Sequence, residues 1–241
     1  MSGAKQQRIW EIDAFRGFLI LCVVAAHSLY FGAFVLGLFR LPPLITFVIS
    51  YGGALFVLLS GLSSTLGTHS VQRGLVVFTG GMILTVGSYI AVRMKLLEAD
   101  MIIRYGVLHL LGTAMLLTPL LKRLPTWELG LFGLELVILG YLLDASPVIV
   151  ESRLLFPLGF PYPGFTSGDY FPLAPHLGWY CLGIVLGRTL YREKKTLFPK
   201  VNEKSDPIRF FSFCGRNSLY IFILHLPAVG GIMMLLALLL H

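Results

Sequence analysis

The chain has 241 residues, 56% of them apolar and 13% charged, with a net charge of +7 and a mean hydropathy of +0.81. A soluble domain carries roughly twice that share of charge, and the only long polar stretch here runs from Arg188 to Arg216, so secreted, fibrous and disordered classes are excluded. What remains is a small, polytopic, all-α integral membrane protein.

The basic residues lie in short connections between apolar runs, where they act as orientation signals. The lipid bilayer is therefore the expected partner and nucleic acid is not. Cys22, Cys181 and Cys214 sit in or beside apolar segments, in neither a disulfide framework nor a metal-ligand spacing.

A bilayer core of about 30 Å takes roughly 20 apolar residues per helix. In chain order such runs cover 15–39, 44–66, 71–92, 101–121, a shorter 127–143, 173–190 and 218–240. Lys5 and Arg8 ahead of the first run, with Val24 and Ala26 placed like a cleavage site, have the layout of a signal peptide. The run continues past Ala26 to Phe39, so it is expected to stay as the first helix. Seven spans put the two termini on opposite sides. With the N-terminus in the cytoplasm, fourteen Lys and Arg fall in inner segments and five (Arg40, Arg93, Lys95, Arg104 and Arg153) in outer ones, the bias that cytoplasmic loops carry. The C-terminus is then outside, and residues 1–241 read as a single transmembrane domain with a long outer loop, 144–172, and a basic inner loop, 188–216.

In the outer loop Pro157, Pro161, Pro163 and Pro172, with Gly159, Gly164 and Gly168, exclude a regular helix through the second half. Its aromatics, among them Phe156, Tyr162, Phe165 and Tyr170, suit either an interfacial belt or a cap over an outward-facing cavity. Both readings stay open. Gly183 and Gly187 form one GxxxG, expected to serve ordinary helix packing.

Ionisable groups inside a span cost several kcal/mol and usually face a cavity or a partner. His27 lies twelve residues past Phe15, about 18 Å from the inner end of its run and just past the midplane. His225 is about 10 Å deep from the same side and His109 about 12 Å in from the outer side. His176 sits at the outer mouth of the sixth run near Asp169, and Glu135 is the carboxylate deep in the fifth. Any one of these alone reads as a neutral core group bonded between helices. Four histidines on four runs, at depths from the middle to the outer face, suit a polar cavity ringed by runs one, four, six and seven. Imidazole, with its ordinary pKa of about 6.5, can act there as a general base. Zinc is the rival, but no HxxxH or His/carboxylate pair occurs at helical spacing, and no metal is expected. Asp13 and Arg16, three apart, can share a face and pair; in the functional alternative Arg16 meets phosphate arriving from the cytoplasm through its bidentate guanidinium.

Several stretches, spread in order along nearly the whole chain, carry a family resemblance: RIWEIDAFRGFLILCVVAAH (8–27), ALFVLLSGLSSTLG (54–67), RYGVLHLLG (104–112), and DYFPLAPHLGWYCLGIVLGR (169–188) followed by GRNSLYIFILHLP (215–227). With these the chain resembles the catalytic domain of the heparan-alpha-glucosaminide N-acetyltransferase family, within the wider transmembrane acyltransferases. The resemblance implies a polytopic enzyme that takes acetyl-CoA, as acyl donor, from the cytoplasm and acetylates an amino sugar or other carbohydrate on the far side. For a small member of bacterial type it also implies the cytoplasmic membrane. The family's acidic-x-x-Arg-Gly motif falls on Asp13, Arg16 and Gly17, and the first-helix histidine of bacterial members falls on His27. The heparan substrate itself is not carried over.

Together these readings make His27 the expected base, with His225 and His109 as the other catalytic candidates. Arg16, Asp13, Arg73, Arg216 and Asn217 are the candidates to hold CoA, and Asp169, His176, Tyr105 and Arg104 those to hold the acceptor. Direct attack in a ternary complex is expected ahead of an acetyl-histidine, because holding both substrates at one base already supplies proximity. The non-enzymatic alternative is a small transporter or channel with a histidine-lined polar pathway, against which the lack of inverted repeats weighs. The acceptor's identity and the oligomeric state stay open.

Overall fold

Hydrocarbon offers no partners to backbone N–H and C=O groups, so apolar runs of this length must pair them internally as helices. A computed structural model describes residues 9–30, 32–33 and 37–240. Lys5 and Arg8, used above to orient the first helix, lie outside the described residues. Eight α-helices form among those described: α1 (Trp10–Tyr30), α2 (Pro43–Leu66), α3 (Ser70–Arg93), α4 (Val107–Leu121), α5 (Thr126–Ala145), α6 (Leu173–Leu190), α7 (Asp206–Arg216) and α8 (Ser218–Leu240). No strand forms among them beyond an isolated bridge between Tyr105 and Tyr170. Among the described residues four helices, α1, α2, α3 and α5, are long and apolar enough to cross a membrane, while α4 is shorter. The class is thus an all-helical integral membrane protein.

Three boundaries move from where hydropathy puts them, each for a local reason. α1 begins at Trp10, five residues before the apolar run, because Glu11 and Asp13 suit the positive end of a helix in its first turn. α4 begins at Val107 and not at Met101: the Asp169 carboxylate accepts the Val107 N–H at 2.9 Å and caps the helix there. The basic stretch 188–216 is not loop throughout. Ser205, Asp206 and Pro207 form a helix-start signal, and α7 follows, with Ser212, Cys214 and Gly215 buried and Phe210 and Phe213 exposed.

The chain divides into two compact units, residues 1–56 with 191–241, and residues 57–190. In the first unit α1 packs along α7 and against α8. The approach of α1 to α7 is backbone to backbone: a Cβ on Gly17 would strike the Phe211 carbonyl, and one on Gly215 would strike the Asp13 carbonyl. Small residues are what permit such contact between helices. Glu11 ties the start of α1 to the segment after residue 190. Its carboxylate accepts the Leu197 N–H at 2.8 Å and the Thr196 hydroxyl at 2.9 Å. Tyr191 also bonds to Glu11, and its phenol is pushed up to about 12, by burial first and then by the neighbouring carboxylate.

In the second unit α3 packs on α4 and α5 on α6, around a core that includes Leu110, Leu129, Tyr180 and Ile184. The Tyr180 hydroxyl meets Thr118 Oγ1 at 2.8 Å, a buried polar contact between α6 and α4. Arg188, at the end of α6, donates to the carbonyls of Lys122 at 2.9 Å and Leu124 at 2.8 Å, which satisfies groups left over at the end of α4. Gly183 and Gly187 pack against Leu58 and Thr65 of α2, so the GxxxG serves packing within the chain. The loop 144–172 folds on its own aromatics. Phe156, Tyr162, Phe165 and Tyr170 pack ring to ring at centroid distances of 4.8 to 6.3 Å. The Tyr170 hydroxyl donates to the Phe156 carbonyl at 2.6 Å, and burial pushes that phenol up to about 12.

Candidate functional site

His27 and His225 come together in the first unit. Their rings meet edge to face, with centroids 4.9 Å apart and planes at 65°. His27 Nδ1–H donates to the Val23 carbonyl at 2.9 Å, and His225 Nδ1–H donates to the Phe222 carbonyl at 2.6 Å. A carbonyl only accepts, so each ring carries a proton on Nδ1, and in the neutral form of either ring the lone pair is therefore on Nε2. His225 is 5% exposed, and its Nε2 is buried with no hydrogen-bond partner among the described residues.

Rings 4.9 Å apart differ in level by no more than that distance, less than the difference between the depths of about 18 and 10 Å expected from counting along each run. Those counts began at Phe15 and Ser218, the first residues of the two runs, and the two starting points are not level. The level is set by the glycine contact. His27 is ten residues beyond Gly17, and His225 is ten beyond Gly215, so two parallel rails pinned at the glycines bring both imidazoles to the same height, about 15 Å further on.

The same pin gathers four of the five residues expected to hold CoA. Arg16 Nη1 donates to Asp13 Oδ1 at 3.1 Å, an ion pair within one turn of α1. Gly215 abuts that turn, and Arg216 and Asn217 follow it directly. Arg216 is exposed, and Asn217 Nδ2 donates to the Phe213 carbonyl at 2.9 Å. Arg73 is not among them; it belongs to the second unit, exposed in the first turn of α3.

The second unit carries a different histidine site. The Gly106 N–H donates to His109 Nδ1 at 3.2 Å, which makes Nδ1 the acceptor and leaves Nε2–H to donate to Thr85 Oγ1 at 3.3 Å. The ring stacks on Tyr105 at 5.6 Å and meets Phe78 edge-on at 5.4 Å. Tyr105 donates its hydroxyl to Thr113 at 2.9 Å, and Arg104 Nε donates to the Thr166 carbonyl at 2.7 Å. Arg104, Tyr105, His109 and Asp169, chosen separately from the sequence, thus form one connected group around the start of α4. His176 stands apart, with Nδ1–H donating to the Pro172 carbonyl at 2.9 Å and its ring 4.6 Å from Phe171. Glu135 does not face inward as a costly intramembrane carboxylate was expected to. It lies exposed midway along α5.

Two working parts escaped the sequence reading. Glu11 sits inside the quoted first stretch, and an acid beside a Trp in a first helical turn was its only signal. Thr85, the acceptor for His109, carried none. Among the described residues no group of three or more His, Cys, Asp or Glu is placed to hold a metal ion.

Fold and site together define a helical membrane protein with histidines and a cation-bearing helix end built into its bundle. The profile described as heparan-alpha-glucosaminide N-acetyltransferase, catalytic, matches residues 8–227, and the chain belongs to that family. Membership implies a membrane acetyltransferase. No curated protein and no solved structure matches the chain.

Proposed function

We propose that the chain is a seven-span enzyme of the bacterial cytoplasmic membrane, N-terminus inside and C-terminus outside, that moves an acetyl group from cytoplasmic acetyl-CoA to an amino sugar or other carbohydrate on the outer side. The observation that carries the catalytic assignment is the Nε2 lone pair of neutral His27 on a helix of the family match. In the step, His27 Nε2 takes a proton from the acceptor nitrogen or oxygen as that atom bonds to the acetyl carbonyl carbon. The tetrahedral adduct collapses, the carbon–sulfur bond breaks, and the imidazolium returns its proton to the CoA thiolate. An acetyl-histidine is not needed when one base serves both substrates.

His225, packed on the same ring, holds His27 in place and is the second base candidate. His109 has its Nδ1 lone pair taken by Gly106 and its Nε2–H on Thr85, so it can serve only as a donor, to an oxyanion or acceptor oxygen that takes the place of Thr85. Asp13, Arg16, Arg216 and Asn217 at one helix end hold the phosphates of CoA; Asp169, His176, Tyr105 and Arg104 hold the acceptor. Purified protein in nanodiscs, given radiolabelled acetyl-CoA, should release CoA and label glucosamine. Solute flux in liposomes without CoA turnover would replace this reading by a transporter.

A further inference from the structure

The second unit holds an open recess of about 420 Å³ whose lining includes Arg104, Arg153, Phe156, Tyr162, Tyr89 and Thr85. None of its lining residues is acidic, and among the described residues neither guanidinium pairs with a carboxylate. Two like charges in one recess repel, and an anion between them removes that cost. Both groups are also positioned. Arg104 Nε is tied to the Thr166 carbonyl at 2.7 Å, and the Arg153 guanidinium lies 5.5 Å from the centre of the Tyr162 ring. A guanidinium fixed at Nε or over an aromatic face keeps its terminal N–H donors for a ligand.

The charge count selects the anion. One carboxylate is satisfied by one bidentate guanidinium, whereas a phosphate monoester carries about −1.5 to −2 at neutral pH with three acceptor oxygens and can engage two forks arriving on separate segments. Beside the cations stand aromatic faces, Phe156, Tyr162 and Tyr89, of the kind against which the apolar face of a sugar ring packs. Thr85 lines the recess and also accepts from His109 Nε2–H, so the recess adjoins the acceptor group at the start of α4.

We propose that the Arg104–Arg153 recess binds the phosphate of a phosphorylated carbohydrate, free or as a lipid-linked headgroup, so that the acceptor of the acetyl group is a sugar phosphate. The identification of this ligand as acceptor rests on the acetyltransferase reading above; the phosphate site itself does not.

The test measures binding and turnover separately on protein in nanodiscs, with glucosamine, glucosamine 6-phosphate and inorganic phosphate as probes. Glucosamine 6-phosphate should bind at least about tenfold more tightly than glucosamine. Exposed Arg153, changed as Arg153→Gln, should remove about tenfold of that preference, the loss of one charge-assisted contact, while Arg153→Lys keeps most of it. Displacement of the bound sugar phosphate by polyprenyl phosphate in the disc identifies the lipid-linked source, and displacement only by soluble sugar phosphates identifies the free one. Equal affinity for the neutral and phosphorylated sugars, or a preference that survives Arg153→Gln, overturns the proposal even where acetyl transfer to glucosamine proceeds. Arginine-dependent binding of the sugar phosphate with no acetyl transfer to any probe keeps the recess and removes the enzyme reading.

Discussion

The pair His27–His225 and the lone His109 are built from the same side chain, yet they present opposite faces of imidazole. His27 and His225 lie inside their helices, where carbonyls of the preceding turn are within reach, so Nδ1–H is spent on the residue three or four back. His109 is the third residue of α4, where the leftover backbone groups are donors. There the ring must accept, and Nδ1 takes the Gly106 N–H in a capping box. Position along a helix therefore decides which nitrogen keeps the proton. Inside α1 and α8 the remaining nitrogen of the neutral ring is a lone pair that can take a proton; at the start of α4 it is an N–H, held by Thr85, that can only give a hydrogen bond.

The strongest way to break this contrast is to remove each ring in turn. His27→Ala should lower turnover by about 10²- to 10⁴-fold, the range for loss of a general base, with acetyl-CoA binding nearly unchanged. His27→Asn, which keeps a polar group without a base, should be as inactive. By contrast His109→Gln keeps an acceptor for the Gly106 N–H and an N–H donor toward Thr85, so turnover should fall less than about tenfold. Full activity in the Asn variant would move the base to His225 or His176. Reversal of the two effects would assign the catalytic part to the second unit.

Next in size is the pin that sets the height of the His27–His225 pair. Gly17→Val puts a side chain where the Phe211 carbonyl stands, and overpacking of this sort costs about 1–3 kcal/mol. The melting temperature in detergent should drop, and turnover should fall further than the stability loss accounts for, because the two rails lose their common level. A variant with wild-type stability and turnover would separate the histidine pair from the glycine contact. The equal spacing of ten residues from each glycine to each histidine stands in the sequence, and so does the i, i+3 pairing of Asp13 with Arg16. What makes them meaningful is not there. Gly17 and Gly215 are separated by almost the whole chain, and α7, an amphipathic helix of 11 residues, hides from a search for spans because it is short and basic. The lone histidine shows the same limit. Its place three residues after Gly106 is legible, but Asp169 and Thr85 reach it only through folding.

A third test sharpens the first unit alone. Arg16→Ala removes a guanidinium at the end where Asp13, Arg216 and Asn217 gather, and CoA affinity should weaken about tenfold, with a shallower dependence on salt as one phosphate contact is lost. Adding back Lys at the same position should recover part of the affinity but not the bidentate share. Unchanged CoA affinity takes Arg16 out of the donor site and leaves its ion pair with Asp13 as a device that fixes the depth of α1.

The smallest effect separates two roles for Asp169 in the second unit. Its carboxylate accepts the Val107 N–H at 2.9 Å, so one duty is to cap α4 and with it the turn that orients His109. Asp169→Asn keeps an acceptor oxygen of the same shape and removes the negative charge from the helix N-terminus. That charge is worth about 0.3–1 kcal/mol to the helix. If capping is the whole of its work, the melting temperature falls slightly and the kinetic constants stay as they were. If Asp169 also receives the ammonium of an amino sugar, KM for the acceptor rises well beyond what so small a change in stability brings, while KM for acetyl-CoA does not move. An increase confined to amino acceptors, absent with a hydroxyl acceptor, would place the charge of Asp169 on the substrate as well as on the helix.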